Sequence, residues 1–140
     1  AWAGSKVVST DQKMFMATIE ANRVKNNIDP QLMQIKPLNW QDVTKDTPST
    51  FFSGGRYDFV FVSDCLNPVY GDDNISDLGK ALTHLVFKDV TCYLAFEDRD
   101  EKVVPNLYEL MLEEMGGKKQ FESKIVFTSG NRCIYRLKRK

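Results

Sequence analysis

The sequence is poor in the residues that most often announce a chemistry. Of its 140 residues, three are cysteine and one is histidine. Cys65, Cys92 and Cys133 are an odd number at wide spacing with no C-x-x-C pair, and His84 is the one histidine available to help them hold a metal. Free thiols in a reducing compartment are the simplest reading, which points to an intracellular protein, cytoplasmic or nuclear. An excess of charge of either sign is also lacking: 19 Lys and Arg balance 19 Asp and Glu. No global field draws the chain to nucleic acid or anionic lipid, so a nucleic-acid partner is not expected without a local patch. Apolar runs such as Phe59–Ser63 fall far short of the ~20 residues of a membrane-spanning helix, and no charged-then-apolar leader opens the sequence. No membrane partner is expected. G-x-S-x-G, H-E-x-x-H, a Walker loop and a paired catalytic Cys/His spacing are all absent.

What is present is a core's worth of apolar residues, 42% of 140, enough for one domain over 1–140. Apolar periodicity switches between two and about 3.6, as in strands alternating with helices, so the expected class is α/β. Lys6–Asp11 reads as a β-branched strand ending in an acid, followed by a helix with Met14, Ala17, Ala21 and Val24 on one stripe up to Asn26-Asn27. Leu32–Leu38 alternates as a strand ending near Asn39-Trp40, and Gln41–Gly55 reads as a flexible connection with room for a short helix. Tyr57–Val62 is nearly continuous in apolar residues, as for a parallel strand with helices on both faces. Beyond a Pro68–Asn74 loop, Ile75, Leu78, Leu82, Leu85 and Val86 form a helix stripe, with Asn74 or Ser76 as cap. Thr91–Phe96 is a further buried strand, and Val104, Leu107, Met111 and Met115 mark a helix stopping at Gly116-Gly117. Phe121–Thr128 and Arg132–Leu137 alternate around Ser129-Gly130-Asn131 as an antiparallel hairpin. The terminal Arg136, Lys138, Arg139 and Lys140 read as a solvated end.

Open parallel sheets bind ligands beyond the carboxyl ends of their strands, so four strand ends carry the candidate chemistry. Asp11 is placed to accept two hydrogen bonds from a ribose diol, or to cap the helix after it. Trp40 beside Asn39 offers a flat face and an amide, suited to a purine or to an ordinary rim position. Asp64 closes the most apolar strand, where a carboxylate needs a partner, an accessible cleft or an Asx turn. Glu97, Asp98 and Arg99 follow the next strand, either as a substrate clamp or as an exposed charge cluster. His84 reads as structural. The residues alone leave room for a nucleotide-binding α/β protein of another kind.

The ordered set Ser9-Thr-Asp11, Leu38-Asn-Trp40, Tyr57-Asp-Phe-Val-Phe-Val-Ser-Asp-Cys-Leu66 and Glu97-Asp-Arg99 resembles the seven-strand S-adenosylmethionine-dependent methyltransferases. Within them it is similar to the protein-lysine methyltransferases of the calmodulin-lysine methyltransferase-like group. The resemblance runs over nearly the whole chain. It implies a Rossmann-like sheet, mostly parallel with a C-terminal antiparallel hairpin, in the order 3-2-1-4-5-7-6. It also implies S-adenosylmethionine as donor and a protein lysine as acceptor. Asp11 would hold the ribose, with Asn39 and Trp40 at the adenine and Ser63 also on the donor side. Asp64 and Tyr70 would orient the substrate as catalytic residues, with Asn67 and Arg99 contacting it.

Three departures from the family pattern follow. Asn67 stands where an aromatic is usual three residues after Asp64, and Leu38-Asn39 replaces the commoner Leu-Asp. The opening strand and its glycine-rich G-x-G-x-G turn, where backbone N–H groups meet the donor's methionine end, are not visible. Seven strands, six helices and their connections need about 165 residues, against 140 here. The opening strand is the central one of the sheet. The expectation is an N-terminally incomplete methyltransferase domain whose opening unit is supplied by another chain, or else a non-catalytic structural or interaction subunit.

Overall fold

The structure, a computed structural model, describes residues 4–44, 57–97 and 103–140, with the backbone alone for 103–105. The residues fall into two compact units, 1–42 and 43–140.

The first unit is a strand–helix–strand element. β1 (Val7–Asp11) leads through a 3-10 turn (Lys13–Phe15) into α1 (Met16–Lys25), and the chain returns as β2 (Met33–Pro37). The two strands are parallel, with Val7 opposite Met33 and Asp11 opposite Pro37. α1 stops because Asn27 takes a left-handed conformation (φ 52) that lets the Ile28 N–H donate to the Arg23 carbonyl at 3.1 Å. Asparagine tolerates that conformation better than most residues, which explains the paired asparagines at this helix end. The expected stripe on α1 is not the buried one. Met14 and Val24 are 75% and 62% exposed, whereas Met16, Ile19 and Arg23 are half-buried. Spacing had put a stripe on the helix but not the face that meets β2.

The second unit holds β3 (Phe59–Ser63), α2 (Gly71–Leu85), β4 (Thr91–Glu97), α3 (Val103–Glu114), a short α4 (Gly117–Gln120), β5 (Phe121–Ser129) and β6 (Arg132–Arg139). Its sheet runs β3-β4-β6-β5, parallel between β3 and β4 and antiparallel elsewhere. The two sheets reproduce the 3-2 and the 4-5-7-6 runs of the expected order. Among the described residues, β1 pairs only with β2 and β3 only with β4. The hairpin joining β5 to β6 turns over Gly130-Asn131, with Gly130 at φ 59, a value glycine adopts without cost.

The core lies on one face of the larger sheet. Cys92, Leu94 and Phe96 of β4 and Leu137 of β6 point there, and α3 brings Leu107, Met111 and Leu112 against them, all buried. The Tyr108 and Tyr135 rings meet at 4.3 Å, and the Tyr108 hydroxyl shares a hydrogen bond with Ser123. The stripe on α2 forms as expected: Ile75, Leu78, Leu82 and Val86 are buried and Leu85 is half-buried. Its start differs. The helix begins at Gly71, ahead of the expected cap residues, after a 3-10 turn (Pro68–Tyr70) whose cap is Asn67. Asp72 and Asp73 then lie in the first turn, where the helix dipole favours anions. The helical turn of α4 was likewise not foreseen from its two leading glycines.

α2 and α3 touch at Gly79. A Cβ there would lie 2.7 Å from the Met111 carbonyl oxygen and 3.0 Å from the Glu114 Cβ. Gly79→Ala is expected to lower stability by about 1–3 kcal/mol in urea unfolding, despite alanine's better helix propensity, because the obstructing atom is backbone. Burial, opposed by the Ser123 hydrogen bond, pushes the Tyr108 hydroxyl up to about 12 from its ordinary 10. A group whose neutral form is kept in the fold contributes stability that is whole below its unfolded value and lost as pH rises through the folded one. Stability should fall by up to about 2–3 kcal/mol between roughly pH 10 and 12. Chemical denaturation of Tyr108→Phe should show a shallower alkaline slope.

Candidate functional site

Parallel pairing sets where the site lies, because it gathers the carboxyl ends of adjacent strands. In the first unit these are Asp11 and Pro37, which are directly opposite, and the Leu38 N–H closes the ladder on the Asp11 carbonyl at 2.8 Å. The Asp11 side chain is exposed, and its Oδ1 accepts from the Gln12 N–H at 2.7 Å. The cap residue of the following 3-10 turn is Gln12, which makes no side-chain cap bond. Asp11 therefore does not act as the helix cap, and its other carboxylate oxygen has no partner among the described residues. On the neighbouring strand end, Asn39 and Trp40 are both half-buried, and Trp40 opens a single 3-10 turn (Trp40–Asp42) closed by Asp42 N–H to Asn39 carbonyl at 3.1 Å. A short turn directly after a strand holds an indole at the sheet's end instead of letting the chain run past it.

In the second unit the corresponding ends are Ser63 and Ala95, again directly opposite. Both Ser63 and Asp64 are exposed. The Asp64 N–H donates to the Ala95 carbonyl at 2.9 Å, and Asp64 takes φ 53. This left-handed turn lifts the carboxylate out of line with the strand and reverses the chain towards Cys65, whose Sγ lies 3.4 Å from the Ser63 carbonyl. Six residues on, Tyr70 is exposed and joins the 3-10 turn to α2. Tyr70 thus stands at the start of α2, and its N–H closes the turn on Asn67. Asn67 is committed: its Oδ1 accepts from the Val69 N–H at 3.1 Å and its carbonyl accepts from the Tyr70 N–H at 3.0 Å. Arg99 lies outside the described residues. Beyond β4, Glu97 forms an exposed ion pair with Arg132 of β6 at 3.6 Å. That partner is visible only once β6 is known to be β4's neighbour.

The stretch after β3 is acidic. Asp64, Asp72 and Asp73 are all exposed in one short stretch. Such a mouth attracts cations and repels phosphate. Sequence reasoning missed the left-handed backbone at Asp64 and Gly71, the latter at φ 75. A Tyr-Gly pair between a capping Asn and two Asp residues carried that signal, since glycine is the residue that enters such a turn without strain. Asn27 is the other non-glycine residue with a positive φ, so among the described residues Asp64 is the one strained position at a strand end. A non-glycine residue in this conformation costs about 1–2 kcal/mol. Among the described residues, no cluster of metal-ligating side chains accompanies these loops.

These features have counterparts in known proteins. The sequence profile of the lysine methyltransferase family matches residues 1–112. No curated protein matches the chain. Solved structures match its fold. An O-methyltransferase family protein from Burkholderia thailandensis aligns over 96% of the chain and 44% of its own length, at 14% identity and a TM-score of 0.65. The mitomycin 7-O-methyltransferase aligns over 96% and 42%, at 11% identity and a TM-score of 0.65. An rRNA methylase from Escherichia coli aligns over 97% and 49%, at 17% identity and a TM-score of 0.57. The chain spans less than half the length of each of these three.

Glycine adopts φ 53 freely, so Asp64→Gly is expected to hold or raise stability by about 1 kcal/mol while deleting the carboxylate. Thermal unfolding beside the wild-type chain checks this. A clear loss of stability would mean that the Asp64 side chain holds the loop.

Proposed function

The chain belongs to the lysine methyltransferase family, and we propose that it supplies the adenosine and acceptor sides of an S-adenosylmethionine-dependent domain that methylates protein lysine. The observation that carries this reading is the pairing of β1 with β2. It brings together the carboxyl ends of two parallel strands, the edge at which such sheets hold a nucleoside, and supports Asp11 on one strand end and Asn39 and Trp40 just beyond the other as the residues that meet it.

The residues present fit one end of the donor. Asp11 has a free carboxylate oxygen to accept from a ribose diol, and Asn39 with Trp40 offers an amide and a ring face to the purine. For the amino-acid end we place the N–H cradle outside the described residues, among which no glycine-rich turn follows a strand. The free edges of β1 and β3 are where we place it. A further parallel strand beside either edge would satisfy its row of backbone groups, each worth about 1–3 kcal/mol if otherwise buried unpaired. That strand comes from a partner chain or from additional sequence of the same protein.

When bound, the donor supplies an electrophilic methyl group. This chain's residues supply position and proton state. Asp64 accepts a charge-assisted hydrogen bond from the incoming lysine ammonium. It is exposed, so the proton the amine must lose has a path to water. Tyr70 orients the amine from the far side of the loop, Ser63 faces the donor, and Asn67 lends its backbone turn more than its side chain. Lysine as acceptor suits the acidic mouth, which also favours a basic protein segment. The cysteines all stand as free thiols, and no helix among the described residues is long and apolar enough to cross a membrane.

A second reading, a non-catalytic methyltransferase-like subunit, is favoured by Asn67, whose side-chain oxygen is spent on a cap. Calorimetry with S-adenosylmethionine separates the two. The 140-residue chain alone should bind weakly or not at all, and a version carrying a parallel strand with a glycine-rich turn should bind stoichiometrically. Tight binding by the chain alone would refute the need for the strand, and no binding by the extended version would leave the non-catalytic reading. In the extended version, Asp11→Ala should weaken donor binding about tenfold or more, the cost of a charged hydrogen-bonding partner. Its melting temperature should not change. A variant that melts instead would make Asp11 a structural residue.

A further inference from the structure

We draw no further inference here: the strongest candidate, the outer edge of β5 (Phe121–Ser129) with Ile125, Val126 and Phe127 exposed along it, carries nothing because nothing in the structure shows what covers it.

Discussion

A parallel strand inside a sheet has two rows of backbone donors and acceptors, and among the described residues β1 and β3 each have a neighbour on one row only. Most of the architecture follows from that. The sheet order breaks into β1-β2 and β3-β4-β6-β5 at this place. The parallel ladders bring strand ends together in pairs, Asp11 opposite Pro37 in one unit and Ser63 opposite Ala95 in the other. Backbone hydrogen bonding is obligatory, and an unpaired row inside a protein is among the costlier omissions a fold can carry.

The larger unit stands on one-sided packing. Cys92, Leu94, Phe96 and Leu137 line the face beneath α3, where Tyr108 adds a ring contact to Tyr135 and a hydroxyl bond to Ser123. Burial pushes the Cys92 thiol up to about 12, which keeps it protonated and inert near neutral pH, when the thiolate is the reactive form. α2 joins this layer through Gly79, where a missing Cβ lets the helix come down on the Met111 carbonyl. The opposite face of this sheet carries the Phe59, Phe61 and Tyr93 rings. A strand covered on both sides would read as continuously apolar, and β3 does read that way, so the sequence of β3 suits a more complete environment than the described residues provide.

Much of the candidate site was legible because it depends on strand ends, and strand ends are written in short-range signals. The β-branched run closing on Asp11, the alternation closing before Asn39-Trp40 and the apolar run closing on Ser63-Asp64 all stop within a residue or two of where the sequence puts them. The loop after β3 was less legible. The Asn67 side-chain oxygen caps the turn before α2, and Asp64 adopts a left-handed backbone that no composition rule signals. Both depend on how the chain reverses over the end of β4, through the Asp64 bond to Ala95. α1 shows the same limit: its periodicity was real, but Met14 and Val24 face outward.

By itself the sequence determined the alternation of strands and helices, the positions of their ends and the kind of residue standing at each, because propensity, periodicity and turn chemistry act over a few residues. Tertiary structure alone decided which strands are neighbours, which helix face is buried and which charges meet, as Glu97 meets Arg132 across β4 and β6. Those outcomes rest on hydrogen bonds and contacts between residues far apart along the chain. Their partners are chosen by competition for backbone groups and apolar surface, which no local pattern encodes.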